Sequence, residues 1–135
     1  MKVMSYIVNF FIYTILGFVL MGVGIGLFSL TTKFSERELI REGNMAVALK
    51  LWGKGIGLAI VIYGAWSNSV SLLDAVLWGA IGIITQILVY LALEYIFTPK
   101  TNLAKKVEEG NLAVGFSLFA ISIIVGLIVA GSMSY

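Results

Sequence analysis

The chain has no cysteine, no histidine, a single proline (Pro99), and charge on only 12% of its 135 residues. Each shortage removes a class of chemistry. Without Cys or His there are no thiolate nucleophiles, no imidazole bases, no disulfides and none of the usual zinc ligands, so neither a metal nor another cofactor is expected. The serines have no recognisable base partner. No Gly-rich loop follows a strand, so Gly53, Gly55 and Gly57 do not make a nucleotide cradle. A net charge of +2 is too small to suggest a nucleic-acid face. The sequence therefore reads as a non-enzyme; a membrane-embedded reaction would need Glu94 as its acid or base, with Asp74 at the opposite membrane face.

What remains is apolar. Hydrophobic residues make up 60% of the chain and the mean hydropathy is +1.03, which leaves too little polar surface to clothe a water-soluble globule. Charges are absent between Lys2 and Lys33, between Lys54 and Asp74, and after Glu109. Residues 5–30, 46–66, 73–97 and 113–133 each supply the roughly 20 apolar residues that cross about 30 Å of hydrocarbon. They are expected to be helices, because lipid offers the backbone no hydrogen-bond partners. The first reads as a retained helix rather than a signal peptide: its positive end is Lys2 alone and no small-x-small cleavage site follows. Connector 31–45 carries Lys33, Arg37 and Arg41, connector 98–112 carries Lys100, Lys105 and Lys106, and connector 67–72 carries no Lys or Arg. This asymmetry predicts cytoplasmic basic connectors and both termini outside; Lys2 alone disagrees.

The pattern is written twice. Glu42, Gly43 and Asn44 recur as Glu109, Gly110 and Asn111, a shift of 67 positions. Thr31, Lys33, Ala46, Val47, Leu51, Ile56, Gly64 and Ser67 likewise reappear as Thr98, Lys100, Ala113, Val114, Leu118, Ile123, Gly131 and Ser134. The expected fold is an all-α transmembrane four-helix bundle made of two tandem two-helix repeats, 1–67 and 68–135, forming one integral membrane domain. With an even number of helices per copy, the hairpins enter the membrane in the same sense and are parallel repeats about an axis along the membrane normal. Asn44 and Asn111 stand where a basic connector becomes an apolar helix, a favoured place for an Asn N-cap. The alternative is a pair of amides facing each other across the axis, available to a polar solute or a partner.

Ionisable groups within the spans carry more weight, since each costs at least about 2.5 kcal/mol at a helix centre. Lys50 and Lys54 share one face of the second span, and Glu94 reaches a similar depth on the third. A Lys50–Glu94 ion pair is expected, with Lys54 about 6 Å deeper beside Tyr90 and Gln86. Their repeat counterparts are Ser117, Ile121, Leu27 and Val19 for Lys50, Lys54, Glu94 and Gln86, so the seam belongs to one groove only. As structure it fixes helix register; as function it attracts an anion or relays protons along a wet path. Connector 34–42 alternates Glu36, Arg37, Glu38, Arg41 and Glu42 around Leu39 and Ile40. It reads as an interfacial helix with solvated charges, or as a docking surface for a cytoplasmic peripheral protein. Pro99 is expected to stop the third helix, and Asp74 to favour its start. Two small-xxx-small pairs, Gly22 with Gly26 and Gly53 with Gly57, support packing or self-association. Trp52, Trp66 and Trp78 lie toward span ends, as interfacial anchors do.

The doubled Glu-Gly-Asn step, the helix starts Ala46-Val47-Ala48 and Ala113-Val114-Gly115, and the tandem two-helix arrangement resemble the uncharacterised bacterial membrane proteins of the DUF350 (UPF0719) family over nearly the whole chain. The resemblance implies a four-helix, multi-pass protein of the bacterial plasma membrane, in a setting of envelope stress or membrane maintenance. It implies no activity, substrate or catalytic residue. Two functions are expected from different classes: a non-enzymatic organiser that self-associates in the bilayer, or an oligomeric permeation unit lined by Lys50, Lys54, Gln86 and Glu94.

Overall fold

A computed structural model describes residues 2–30, 35–97 and 103–133. Thr31, Lys33, Thr98, Pro99, Lys100 and Ser134, which entered the sequence reading, lie outside the described residues. The elements are α1 (Lys2–Ser29), α2 (Glu36–Arg41), α3 (Met45–Asn68), α4 (Leu72–Phe97), α5 (Leu103–Glu108) and α6 (Leu112–Gly131), and no strand occurs among the described residues. Of these, α1, α3, α4 and α6 are long and apolar enough to cross a membrane, and they cover the stretches expected from the sequence.

The repeated Glu-Gly-Asn step is a joint between a short helix and a long one. Gly43 has φ +93° and Gly110 φ +90°, a left-handed backbone that glycine adopts without a side-chain penalty. At the first joint Gly43 N–H donates to Ile40 O and Asn44 N–H to Leu39 O; at the second Gly110 N–H donates to Val107 O and Asn111 N–H to Lys106 O. Both are Schellman closures, which satisfy the last carbonyls of α2 and α5. Each Asn then caps the helix that follows: Asn44 Oδ1 accepts from Val47 N–H at 3.0 Å and Asn111 Oδ1 from Val114 N–H at 3.1 Å. Capping is thus the geometry these amides adopt. Helix α4 starts on a different device, in which Ser71 Oγ accepts from Asp74 N–H and the Asp74 carboxylate accepts from Val70 N–H. That is the helix-start role expected of Asp74.

Helix α3 lies at the centre, packed against α1, α4 and α6. Its approach to α6 is set by glycine. Reading up α3, Ala46 meets Gly115, Gly53 meets Phe119, Gly57 meets Ser122 and Gly126, and Gly64 meets Ala130, so the two helices run in the same direction. A Cβ on Gly53 would stand 2.7 Å from Phe119 Cα, and one on Gly126 2.8 Å from Gly57 O, separations that only a missing side chain permits. Helices α1 and α4 run against α3: Gly24 faces Leu58, Tyr13 O accepts from Trp66 Nε1, and Gly57, with Val61, faces Gln86 and Gly82 of α4.

The two glycine pairs differ in what they meet within the chain. Gly53 and Gly57 meet α6, but no atom lies within 4 Å of a Cβ built on Gly22 or Gly26; Gly24 carries the close contact instead. Only Gly24 and Phe28 are buried in the whole of α1. The tryptophans also divide: Trp52 is exposed, whereas Trp66 and Trp78 are half-buried, Trp66 stacked edge-on against Tyr13.

Candidate functional site

Six polar side chains converge where α2, α3, α4 and α6 meet. Lys50, Lys54, Gln86, Ser122 and Glu36 are buried, as is Tyr90, and Lys54 is 1% exposed despite its charge. Lys54 Nζ lies 4.9 Å from the centroid of the Phe28 ring and 5.6 Å from that of Tyr90. Those rings meet edge to face at 5.3 Å and 88°. The ammonium therefore rests against two ring systems, a favourable cation–π environment once water is removed. Lys50, Glu36 and Glu94 act on it electrostatically, and Glu94 and Glu36 also act on Tyr90. One further lysine and two carboxylates are thus the charged side chains that act on Lys54. Deeper in the bundle, Gln86 Nε2 donates to the Ser122 carbonyl at 3.1 Å, across the place where Gly57 has no side chain.

The sequence-predicted seam of Lys50, Lys54, Gln86, Tyr90 and Glu94 is brought together, with Lys54 beside Tyr90 as expected. Lys50 and Glu94 both act electrostatically on Lys54, and Glu36 joins them from α2. Glu36 overturns its expected place in a solvated charge run: it is 8% exposed and turns into the bundle. Phe28 and Ser122 were also missed. Glu36 precedes Leu39 and Ile40 by three and four positions, so all three share a helix face, and this was the signal available. Phe28 lies one helical turn beyond Gly24, whose missing side chain brings α1 against α3. Ser122 offered only a hydroxyl, in a span that also carries Ser117. Among the described residues, no group of three or more metal-ligating side chains occurs.

Asn44 does more than cap its own helix. Its Nδ2 donates to Val107 O at 3.2 Å and Glu108 O at 3.0 Å, carbonyls at the end of α5. One amide therefore fastens the start of α3 to the second connector. The cluster and this clasp both lie on the connector side of the helices.

Residues 2–133 match the family model described as Domain of Unknown Function (DUF350). The chain belongs to the DUF350 family. It is 35% identical to the UPF0719 transmembrane protein YshE of Bacillus subtilis over 106 residues, 78% of each chain. It is 26% identical to the UPF0719 inner membrane protein YjfL of Escherichia coli over the full length of both. A UPF0719 transmembrane protein of Aquifex aeolicus is 27% identical over 115 residues, 81% of this chain and 43% of that protein. No solved structure matches. This DUF350 chain is a multi-pass membrane protein, and its relatives bear names that give a membrane location without an activity.

Proposed function

We propose that this DUF350 protein is a non-enzymatic, self-associating organiser of the bacterial plasma membrane, acting in envelope maintenance or stress. The observation that carries the reading is the state of α1. A 28-residue helix buries only Gly24 and Phe28 within its own chain, and its Gly22–Gly26 pair opens outward. Small-xxx-small faces of this kind pack helix on helix in lipid, where backbone approach and van der Waals contact replace the hydrophobic drive. Two tandem parallel repeats related by an axis along the membrane normal fit the same-direction packing of α3 and α6. Basic cytoplasmic connectors, with both termini outside, fit the charge asymmetry, and would present α2 and α5 to a peripheral protein.

The test is disulfide trapping in native membranes. Gly26→Cys should cross-link copies of the chain on mild oxidation, whereas Tyr95→Cys, on the exposed face of α4, should not. Equal trapping at both positions, or none at Gly26→Cys, removes the self-association face.

The buried polar cluster favours a second reading, an oligomeric permeation unit. Ion or solute flux through reconstituted liposomes that vanishes in Lys54→Leu would support it; unchanged leakage would leave the organiser.

A further inference from the structure

Four buried side-chain oxygens have no hydrogen-bond partner among the described residues: Glu36 Oε2, Gln86 Oε1, Tyr90 Oη and Ser122 Oγ. Each is destabilising if left unpaired, and native interiors satisfy nearly all such groups. These four belong to one cluster. Gln86 and Tyr90 are one turn apart on α4, Gln86 is bonded to the backbone of Ser122, and Glu36 acts electrostatically on Tyr90 and on Lys54. The chemistry of the set selects its guest. The Gln86 amide is oriented by its donation to Ser122, so its Oε1 only accepts; an ionised Glu36 also only accepts. The Tyr90 and Ser122 hydroxyls donate as well as accept. An anion would face the oxygens of Glu36, Glu94 and Gln86, and a cation would sit beside Lys50 and Lys54. Water, neutral and both donor and acceptor, meets every group without unbalancing the charges.

The surroundings give the site a direction. Away from the connectors, the next buried residues are Leu58, Val61, Ile62, Ala65, Ile83, Val125, Val129 and Met133, an apolar seal across the bundle. Toward the connectors, among the buried apolar Ala46, Val47 and Val107, come Lys50, Glu36 and the half-buried Glu94. The geometry points to a file of bound waters from Glu36 past Lys54 and Tyr90 to Gln86 and Ser122, open on the connector side and closed on the other. Such a file lets Lys54 exchange its proton with one compartment alone. It is independent of the self-association of α1.

Because the chain lacks cysteine, Ser122→Cys provides a single thiol at the inner end of the file. In sealed vesicles of either orientation, a small membrane-impermeant methanethiosulfonate reagent should modify Ser122→Cys about tenfold faster than Val125→Cys in the apolar seal, since the reacting thiolate forms only in contact with water. It should do so only from the connector face. Hydroxyl-radical footprinting of the unaltered protein should oxidise Tyr90 and spare Val61, and this decides the matter if Ser122→Cys does not fold. The inference is overturned by a Ser122→Cys rate no faster than Val125→Cys together with an unmodified Tyr90. Equal labelling from both faces overturns the closed end, and protection of Ser122→Cys by sodium or chloride would assign the site to an ion.

Discussion

Lys54 is the side chain whose removal should be felt most. It is a buried cation balanced by Glu36 and Glu94 and shared with Lys50, so Lys54→Met strands carboxylates in a poorly solvating interior. Loss of one partner from a buried ionic group costs about 3–5 kcal/mol, whereas replacing both partners is far milder. Lys54→Met should therefore destabilise by about that amount, and Lys54→Met with Glu36→Gln by less than the sum of the single changes. Reversible unfolding in detergent measures the cycle; strict additivity would show that Glu36 does not answer Lys54. Glycine gives a second contrast. A methyl at Gly57 would stand 2.6 Å from the Ser122 carbonyl, whereas one at Gly26 meets nothing. Gly57→Ala should lose the folded bundle or melt well below the parent, while Gly26→Ala should keep its monomer stability or gain up to about 1 kcal/mol from helix propensity. A thermal melt of the two variants side by side checks both.

At the scale of elements, the joints between short and long helices control how the connectors sit on the bundle. Gly43→Ala forces a side chain into a left-handed backbone at a cost of about 1–2 kcal/mol, and Asn44→Ala removes a cap worth about 0.5–2 kcal/mol. Asn44→Ala also releases the carbonyls of α5. Hydrogen exchange should accordingly accelerate at α5 in Asn44→Ala but much less in Gly43→Ala; equal protection of α5 in both would show that the clasp is idle. The same elements mark what was legible beforehand. The four spans were readable because hydrocarbon thickness imposes their length and composition, and Asn44 and Asn111 because N-caps favour short polar side chains. The burial of Glu36 was not readable from alternating charge, which says nothing of how a short helix is rotated against its neighbours. Helix α5 was absorbed into a connector because Leu103 and Val107 alone carry its apolar period. For Gly22 and Gly26, spacing identified a smooth face but not whether a helix of the same chain lay against it.

For the whole molecule, the decisive relation is the same-direction packing of α3 against α6. The α3–α6 contacts, from Ala46–Gly115 to Gly64–Ala130, run in the same order as a sequence pattern repeated at 67 positions. That order brings both connectors to one end of the helices and sets the polar cluster beneath them, inside protein rather than against acyl chains. Polar side chains so placed are the ones a membrane span can tolerate. The most direct measurement is sided labelling of single cysteines in sealed vesicles of known orientation. Arg37→Cys and Glu108→Cys, in the exposed connectors, should react with an impermeant maleimide only from the cytoplasmic face, and Val70→Cys, between α3 and α4, only from the opposite face. Labelling of all three from one side, or of Arg37→Cys and Glu108→Cys from different sides, would contradict the arrangement of the helices in the membrane.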